Sequence, residues 1–178
     1  SALQACDRKL KTPLHLAFSY DEEIGCVGVR SVIDMLDKAP VRPALCIIGE
    51  PTNLTVATGH KGKTGLHAVC RGREGHSALA PKAFNALHLG VDLINILRAK
   101  QAHIASNGIR DDDYDVPYTT LHVGRMQGGT ALNIVPNHCE LDFEIRNIAQ
   151  DDPAVILDLV RAEIERLNEA VGINFPEA

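Results

Sequence analysis

Apolar positions along the chain fall into runs with two distinct periods. "PLHLAFS", from Pro13 to Ser19, alternates apolar and other residues and predicts a strand. Val29, Val32, Ile33 and Leu36 recur at helical spacing and predict a helix over Gly28–Lys38. "APVRP" interrupts the chain, and the continuous apolar run in "ALCIIGEPT" predicts a strand buried on both faces. Strand, helix and strand with short connections predict a βαβ unit.

Beyond about Gly59 the pattern changes. "GKTGLHAVCR" (Gly62 to Arg71) predicts a strand, and Asn85–Lys100 a helix burying Leu87, Val91, Ile94 and Leu97. "HKGK" at His60–Lys63 marks the connection into this second part. A polar insert, "SNGIRDDDYDVPY", precedes the strand "TTLHVGRM". In His138–Arg146 the alternation is clean, with Cys139, Leu141, Phe143 and Ile145 on one face and Glu140, Asp142, Glu144 and Arg146 on the other. A last helix is predicted from Asp151 or Asp152 as cap, through Pro153 in its first turn, to a stop at Gly172. Its apolar stripe is Val155, Ile156, Leu159, Val160, Ile164 and Leu167, and "INF" after it suits a fourth strand. The resulting order β-α-β-β-α-β is that of the ferredoxin-like split βαβ arrangement.

Composition narrows the function classes. The 178 residues suffice for one ordinary domain or two small ones. A net charge of −5 argues against nucleic acid or an anionic membrane as the main partner. No apolar run reaches membrane-spanning length, and the first residues lack a signal-peptide core. Five widely spaced cysteines, Cys6, Cys26, Cys46, Cys70 and Cys139, suit buried thiols in a reducing cytoplasm better than a disulfide frame.

The candidate chemistry begins at "SYDEEIG". Ser19 and Glu22 fit a helix capping box, which by itself explains the acidic cluster. Position favours more. Asp21, Glu22 and Glu23 follow one predicted strand and Glu50 follows another, and ligand sites in open α/β sheets lie at the carboxyl ends of strands. Carboxylates gathered at one sheet edge call for a shared cation, with Glu23 and Glu50 as ligands and Glu22 left to accept a proton from bound water.

"LAFSYDEEIGCVGVR", "CIIGEPTN", "HKGKTGLHAVCRGREGHSA", "VPYTTLHVG", "GGTALNIVP" and "CELDFEIR", in that order, resemble the acetylornithine deacetylase branch of the zinc aminoacylase/carboxypeptidase superfamily of co-catalytic metallohydrolases. The resemblance implies an α/β chain with part of a catalytic domain over residues 1–59 and an α+β ferredoxin-like lid over 60–178, through which two copies form a homodimer. It implies that Glu22 is the general base, and that Glu23 and Glu50 each ligate one of two zinc or cobalt ions. It also implies that His76 reaches the partner's site to support an oxyanion, and that Asn133 and Arg146 hold the substrate. The implied reaction is hydrolysis of N-acetyl-L-ornithine to ornithine and acetate in arginine synthesis, in the cytoplasm.

Plainer readings stand beside these. His76 fits a solvated loop, Asn133 fits the turn before Pro136, and Arg146 fits a surface pairing with Asp142 or Glu144. The superfamily's remaining metal ligands, an upstream H-x-D motif and a late histidine, have no counterpart here. The chain is therefore expected to be an internal piece, inactive alone and weak in binding zinc. Rival functions are a related deacylase or dipeptidase acting on succinyl-diaminopimelate or N-acyl amino acids, and a non-catalytic dimerisation module.

Overall fold

The computed structural model describes residues 11–172, which divide between two compact units at Thr55/Val56. In the described part of the first unit the one regular element is helix α1, Val29–Asp37. The strands expected at Pro13–Ser19 and around Leu45–Ile48 are not formed, and neither is the βαβ unit. A strand exists only as half of a ladder, and among the described residues no backbone pairs with either segment. Their apolar side chains are correspondingly exposed, Phe18 by 86% and Ile47 by 86%. The strongly amphipathic α1 buries none of its residues either.

The local chain around the acidic cluster is a turn. The Glu22 carbonyl accepts from the Gly25 and Cys26 amides, both at 3.0 Å. Gly25 adopts φ +98°, a conformation that favours glycine. Helix α1 starts only at Val29, with Gly28 as N-cap and no side-chain cap, so the Ser19–Glu22 capping box is absent.

The second unit is a mixed α/β layer. Strands β1 (Thr64–Arg71), β3 (Thr120–Gly128) and β5 (His138–Arg146) form one antiparallel sheet in the order β1-β5-β3. Short strands β2 (Gly75–His76) and β4 (Ile134–Val135) pair separately, and a 3₁₀ helix (Ser77–Lys82) follows β2. Helices α2 (Ala86–Asn107) and α3 (Pro153–Gly172) complete the unit. The fourth strand expected after Gly172 lies outside the described residues.

Burial explains which periodicities held. Inward residues Leu66, Ala68 and Cys70 of β1 and Cys139, Leu141 and Phe143 of β5 pack with Leu93 and Leu97 of α2 and Val160 of α3. Burying one such leucine contributes about 1.5–3 kcal/mol. Glycine at position 90 lets α2 approach the sheet, because a Cβ there would meet Met126 Cε at 2.9 Å and Cys139 Sγ at 3.0 Å. Asn85 caps α2 by accepting from the Leu87 amide at 2.8 Å. The helix runs seven residues past its expected end at Lys100, since Ile104 still reaches a second cluster with Ile145 and Ile156. Val91, expected in the core, is 46% exposed.

In α3, Asp152 rather than Asp151 makes the cap, accepting from the Ala154 amide at 2.8 Å. Ile156, Val160 and Ile164 face the core, whereas Val155 and Leu159 of the expected stripe are exposed. The helix also includes Gly172, where a stop was expected. Asp151 is engaged elsewhere, accepting from the hydroxyl of the fully buried Thr119, which in turn accepts from the Ile148 amide at 3.2 Å.

Candidate functional site

A small tip on the second unit carries His76 and Asn133. His76 is held by the β2–β4 ladder, in which it stands opposite Ile134, the residue that follows Asn133. The Asn133 carbonyl accepts from the Ser77 amide at 2.9 Å. Both side chains are exposed. Two exposed leucines flank them, Leu79 in the 3₁₀ helix and Leu132 before Asn133. Beside the tip is a cavity of about 210 Å³ lined in part by Glu74, Gly129, Thr130 and His138.

The hydrogen bonding of His76 fixes its tautomer. Its Nδ1 lies 3.1 Å from the Ala78 amide nitrogen, which can only donate. Nδ1 is therefore the acceptor, and the neutral ring carries its proton on Nε2. The residue that caps the 3₁₀ helix thus presents an N–H donor on the other side of its ring.

Arg146 stands at the far end of β5. Eight residues at about 3.3 Å each put it about 26 Å along the strand from His138, where the tip begins. Its Nε donates to Glu144 Oε1 at 2.9 Å, the plainer pairing named above, and this holds the Glu144 carboxyl below its ordinary range. Next to it, the Asn147 carbonyl accepts from the Gly62 amide at 2.8 Å. Lys61 Nζ donates to the Tyr118 carbonyl at 2.6 Å, with burial pulling its pKa down. Arg146 therefore lies where the chain enters β1, and His76 with Asn133 lie at the opposite end.

The open face of the sheet carries imidazole–carboxylate pairs that the sequence reading left as an unassigned polar face. His67 Nδ1 lies 2.8 Å from Asp142 Oδ1, Arg125 Nη1 donates to Asp142 Oδ2 at 3.1 Å, and His138 Nε2 lies 3.0 Å from Glu140 Oε1. The bond to His67, then that to Arg125, holds Asp142 below the usual carboxylate range, and the bond to His138 does the same for Glu140. A bulge at Gly124 turns both His122 and Arg125 to this face, which strict alternation would not do. The outward register of Glu140, Asp142 and Glu144 was the available signal.

In the first unit Glu22 and Glu23 belong to the turn before α1, and Glu50 lies in the irregular segment after Gly49. All three are exposed. Among the described residues no group of three or more His, Cys, Asp or Glu side chains is arranged to hold a metal ion. Two carboxylates without an imidazole fall short of the three or four protein ligands that zinc ordinarily takes, so these residues alone do not fit that ion. Cys26 and Cys46 are exposed, against the expectation of burial, while Cys70 and Cys139 are buried thiols. No helix among the described residues is long and apolar enough to cross a membrane.

Over 164 residues the chain is 31% identical to a protein named acetylornithine deacetylase from Myxococcus xanthus, covering 89% of this chain and 41% of that one. It is 31% identical over 171 residues to the protein of the same name from Pasteurella multocida, covering 92% and 42%. It is 33% identical over 171 residues to a probable carboxypeptidase from Aspergillus terreus, covering 92% and 38%. The chain thus spans about two-fifths of the length of these relatives. Among solved structures, a hydantoinase/carbamoylase-family amidase from Burkholderia vietnamiensis shares the fold, with TM-score 0.50 and 19% identity over 64% of this chain and 25% of that one. Residues 58–171, well over half the chain and nearly all of the described second unit, match the M20 peptidase dimerisation domain, and the chain belongs to that family.

Proposed function

We propose that the chain is part of a metal-dependent amidohydrolase that releases acetate from N-acetyl-L-ornithine in arginine synthesis. Its second unit is the lid through which two copies associate. The observation that carries this reading is that His76 and Asn133 sit on the tip beyond His138, which strand geometry puts about 26 Å along β5 from Arg146. A small N-acyl amino acid cannot touch both ends within one lid. A two-fold partner resolves this, because an isologous dimer brings one end of each lid to the other copy. His76 would then offer its Nε2–H to the oxygen of a developing tetrahedral intermediate, Asn133 would orient the amide, and Arg146 would grip the carboxylate.

The lid reading extends to topology. We read the order β1-β5-β3 among the described residues, with α2 and α3 packed into the same core, as part of a ferredoxin-like arrangement. Glu22 would act as general base, and Glu23 and Glu50 as one carboxylate ligand each for zinc or cobalt in a cytoplasmic homodimer. A peptidase or related deacylase is the second reading, favoured by the identity with the probable carboxypeptidase. Assay of the complete enzyme on acetylornithine, succinyl-diaminopimelate and a dipeptide, with and without added zinc or cobalt, separates them. Preference for acetylornithine supports the proposal, and turnover of either competitor alone replaces it with the second reading.

A further inference from the structure

We propose that Cys70 and Cys139 are a thiol-oxidation site that closes into a reversible cross-strand disulfide at the base of the tip bearing His76 and Asn133. The two residues are register partners in the β1–β5 ladder. The Gly72 amide donates to the Asn137 carbonyl at 2.8 Å, and that pair continues the same register. Opposed residues in an antiparallel ladder alternate between hydrogen-bonded and non-hydrogen-bonded pairs. Two steps from Gly72 and Asn137, Cys70 and Cys139 are again a hydrogen-bonded pair, with Cα atoms about 5.5 Å apart. Disulfides span Cα separations of about 4.4–6.8 Å, so the backbone already stands at bridging distance.

Orientation and surroundings agree with the spacing. Both side chains point to the inner face, Cys70 at 6% exposure and Cys139 at 0%. Gly90 packs directly over Cys139, where a Cβ would meet its Sγ at 3.0 Å, and Met126 and Leu141 supply apolar neighbours. Burial pushes the Cys70 thiol up to about 11, and the neighbouring Cys139 adds to that rise. Burial likewise raises Cys139, with the adjacent Glu140 carboxylate as a smaller cause. The thiols are therefore protonated and slow to react near neutral pH, as a site that answers only to sustained oxidation requires.

The Cβ atoms of a hydrogen-bonded pair sit farther apart than a relaxed disulfide prefers. The closed bond draws the strands together and is correspondingly easy to reduce. Cys70 is one residue from the end of β1, where the backbone has freedom to make that adjustment. Cys70 is six residues before His76, and Cys139 six after Asn133, so the bridge ties both legs of the tip at one level.

With oxidised glutathione as the oxidant, the first cysteine thiolate attacks one glutathione sulfur and expels the other as a glutathione thiolate. The second cysteine thiolate then attacks the protein-bound sulfur and expels the second glutathione. Two protein thiols lose two protons and two electrons, and one oxidised glutathione becomes two reduced ones.

The test uses the chain with Cys6→Ser, Cys26→Ser and Cys46→Ser, which leaves Cys70 and Cys139 as its thiols. The folded protein is incubated with oxidised glutathione at about pH 8.5, near the ordinary cysteine pKa, then unfolded, alkylated and mapped by mass spectrometry. The expected result is loss of both alkylation sites, a linked peptide pair containing Cys70 and Cys139, and full recovery on reduction. Adding Cys139→Ser should stop the reaction at a glutathione adduct. Peptide mapping of the unsubstituted chain under the same conditions should show the same linked pair and guards against misfolding of the variant. Two thiols still free to alkylate, persistent double glutathione adducts, or a link that forms only in urea would each overturn the proposal.

Discussion

Thr119→Val removes one hydroxyl from the fully buried residue that joins the start of β3 to the segment beyond Arg146. Valine keeps the shape, so packing hardly changes, and the loss falls on two hydrogen bonds. The amide of Ile148, a fully buried residue, loses its acceptor, and an unsatisfied buried donor costs about 1–3 kcal/mol. The Asp151 carboxylate loses a donor, but it is only half-buried and water replaces much of that bond, leaving about 1 kcal/mol. The sum is about 2–4 kcal/mol out of the roughly 5–15 kcal/mol that holds a domain together. Urea unfolding followed by far-UV circular dichroism reports mainly on the second unit, which holds the two long described helices. With a typical slope, the midpoint should fall by about 1–2 M. Thr119→Ser keeps the hydroxyl, loses one methyl and should cost only about 1 kcal/mol. Hydrogen exchange should show the Ile148 amide losing protection in the valine variant alone. Valine matching the parent, or serine proving worse than valine, would refute the assignment of this node.

Three further outcomes are expected. Calorimetric titration of the chain with zinc should give weak binding or none, because Glu23 and Glu50 alone are an incomplete set, and tight one-to-one binding would contradict that. Glu140, Asp142 and Glu144 have folded pKa values held below the ordinary range near 4, so their contribution is present above that range and is lost as pH falls through the lowered values. Melting temperature should therefore decline on acidification below about pH 4, and less steeply in Asp142→Asn, whereas an unchanged slope would show that the pair does not matter to folding. In the complete enzyme Glu22→Gln should abolish turnover while metal content stays near the parent level, and loss of metal instead would make Glu22 a ligand.

Much of the second unit was legible because its elements bury one face against a core within the same unit. The alternation in His138–Arg146 survives intact, since β5 is the central strand, with neighbours on both sides and helices over one face. Strand β3 was legible only in part. Its bulge at Gly124 lets Val123 and Met126 both pack inward, and a one-residue insertion leaves little trace in a hydrophobic pattern. The first unit misled for the opposite reason. Phe18 and Ile47 carry the right pattern for strands, yet a pattern states only which face seeks burial, and among the described residues no ladder partner meets them. At the candidate site, the family resemblance carried by "GHSA" and "GGTALNIVP" named His76 and Asn133. Their meeting depends on the long-range pairing of β2 with β4, which periodicity does not encode.

The central claim is that His76 serves a site on the other copy, and subunit complementation tests it most directly. In the complete enzyme, His76→Ala and Glu22→Gln should each be inactive as pure dimers. After subunit exchange, half of the subunits in an equal mixture should pair with the other kind, and each mixed dimer should hold one site with both groups intact. Activity should therefore return to about a quarter of the parent value, the share of sites so restored under random two-fold pairing. Exchange confirmed by mass, with activity staying at the level of the separate variants, would contradict the claim.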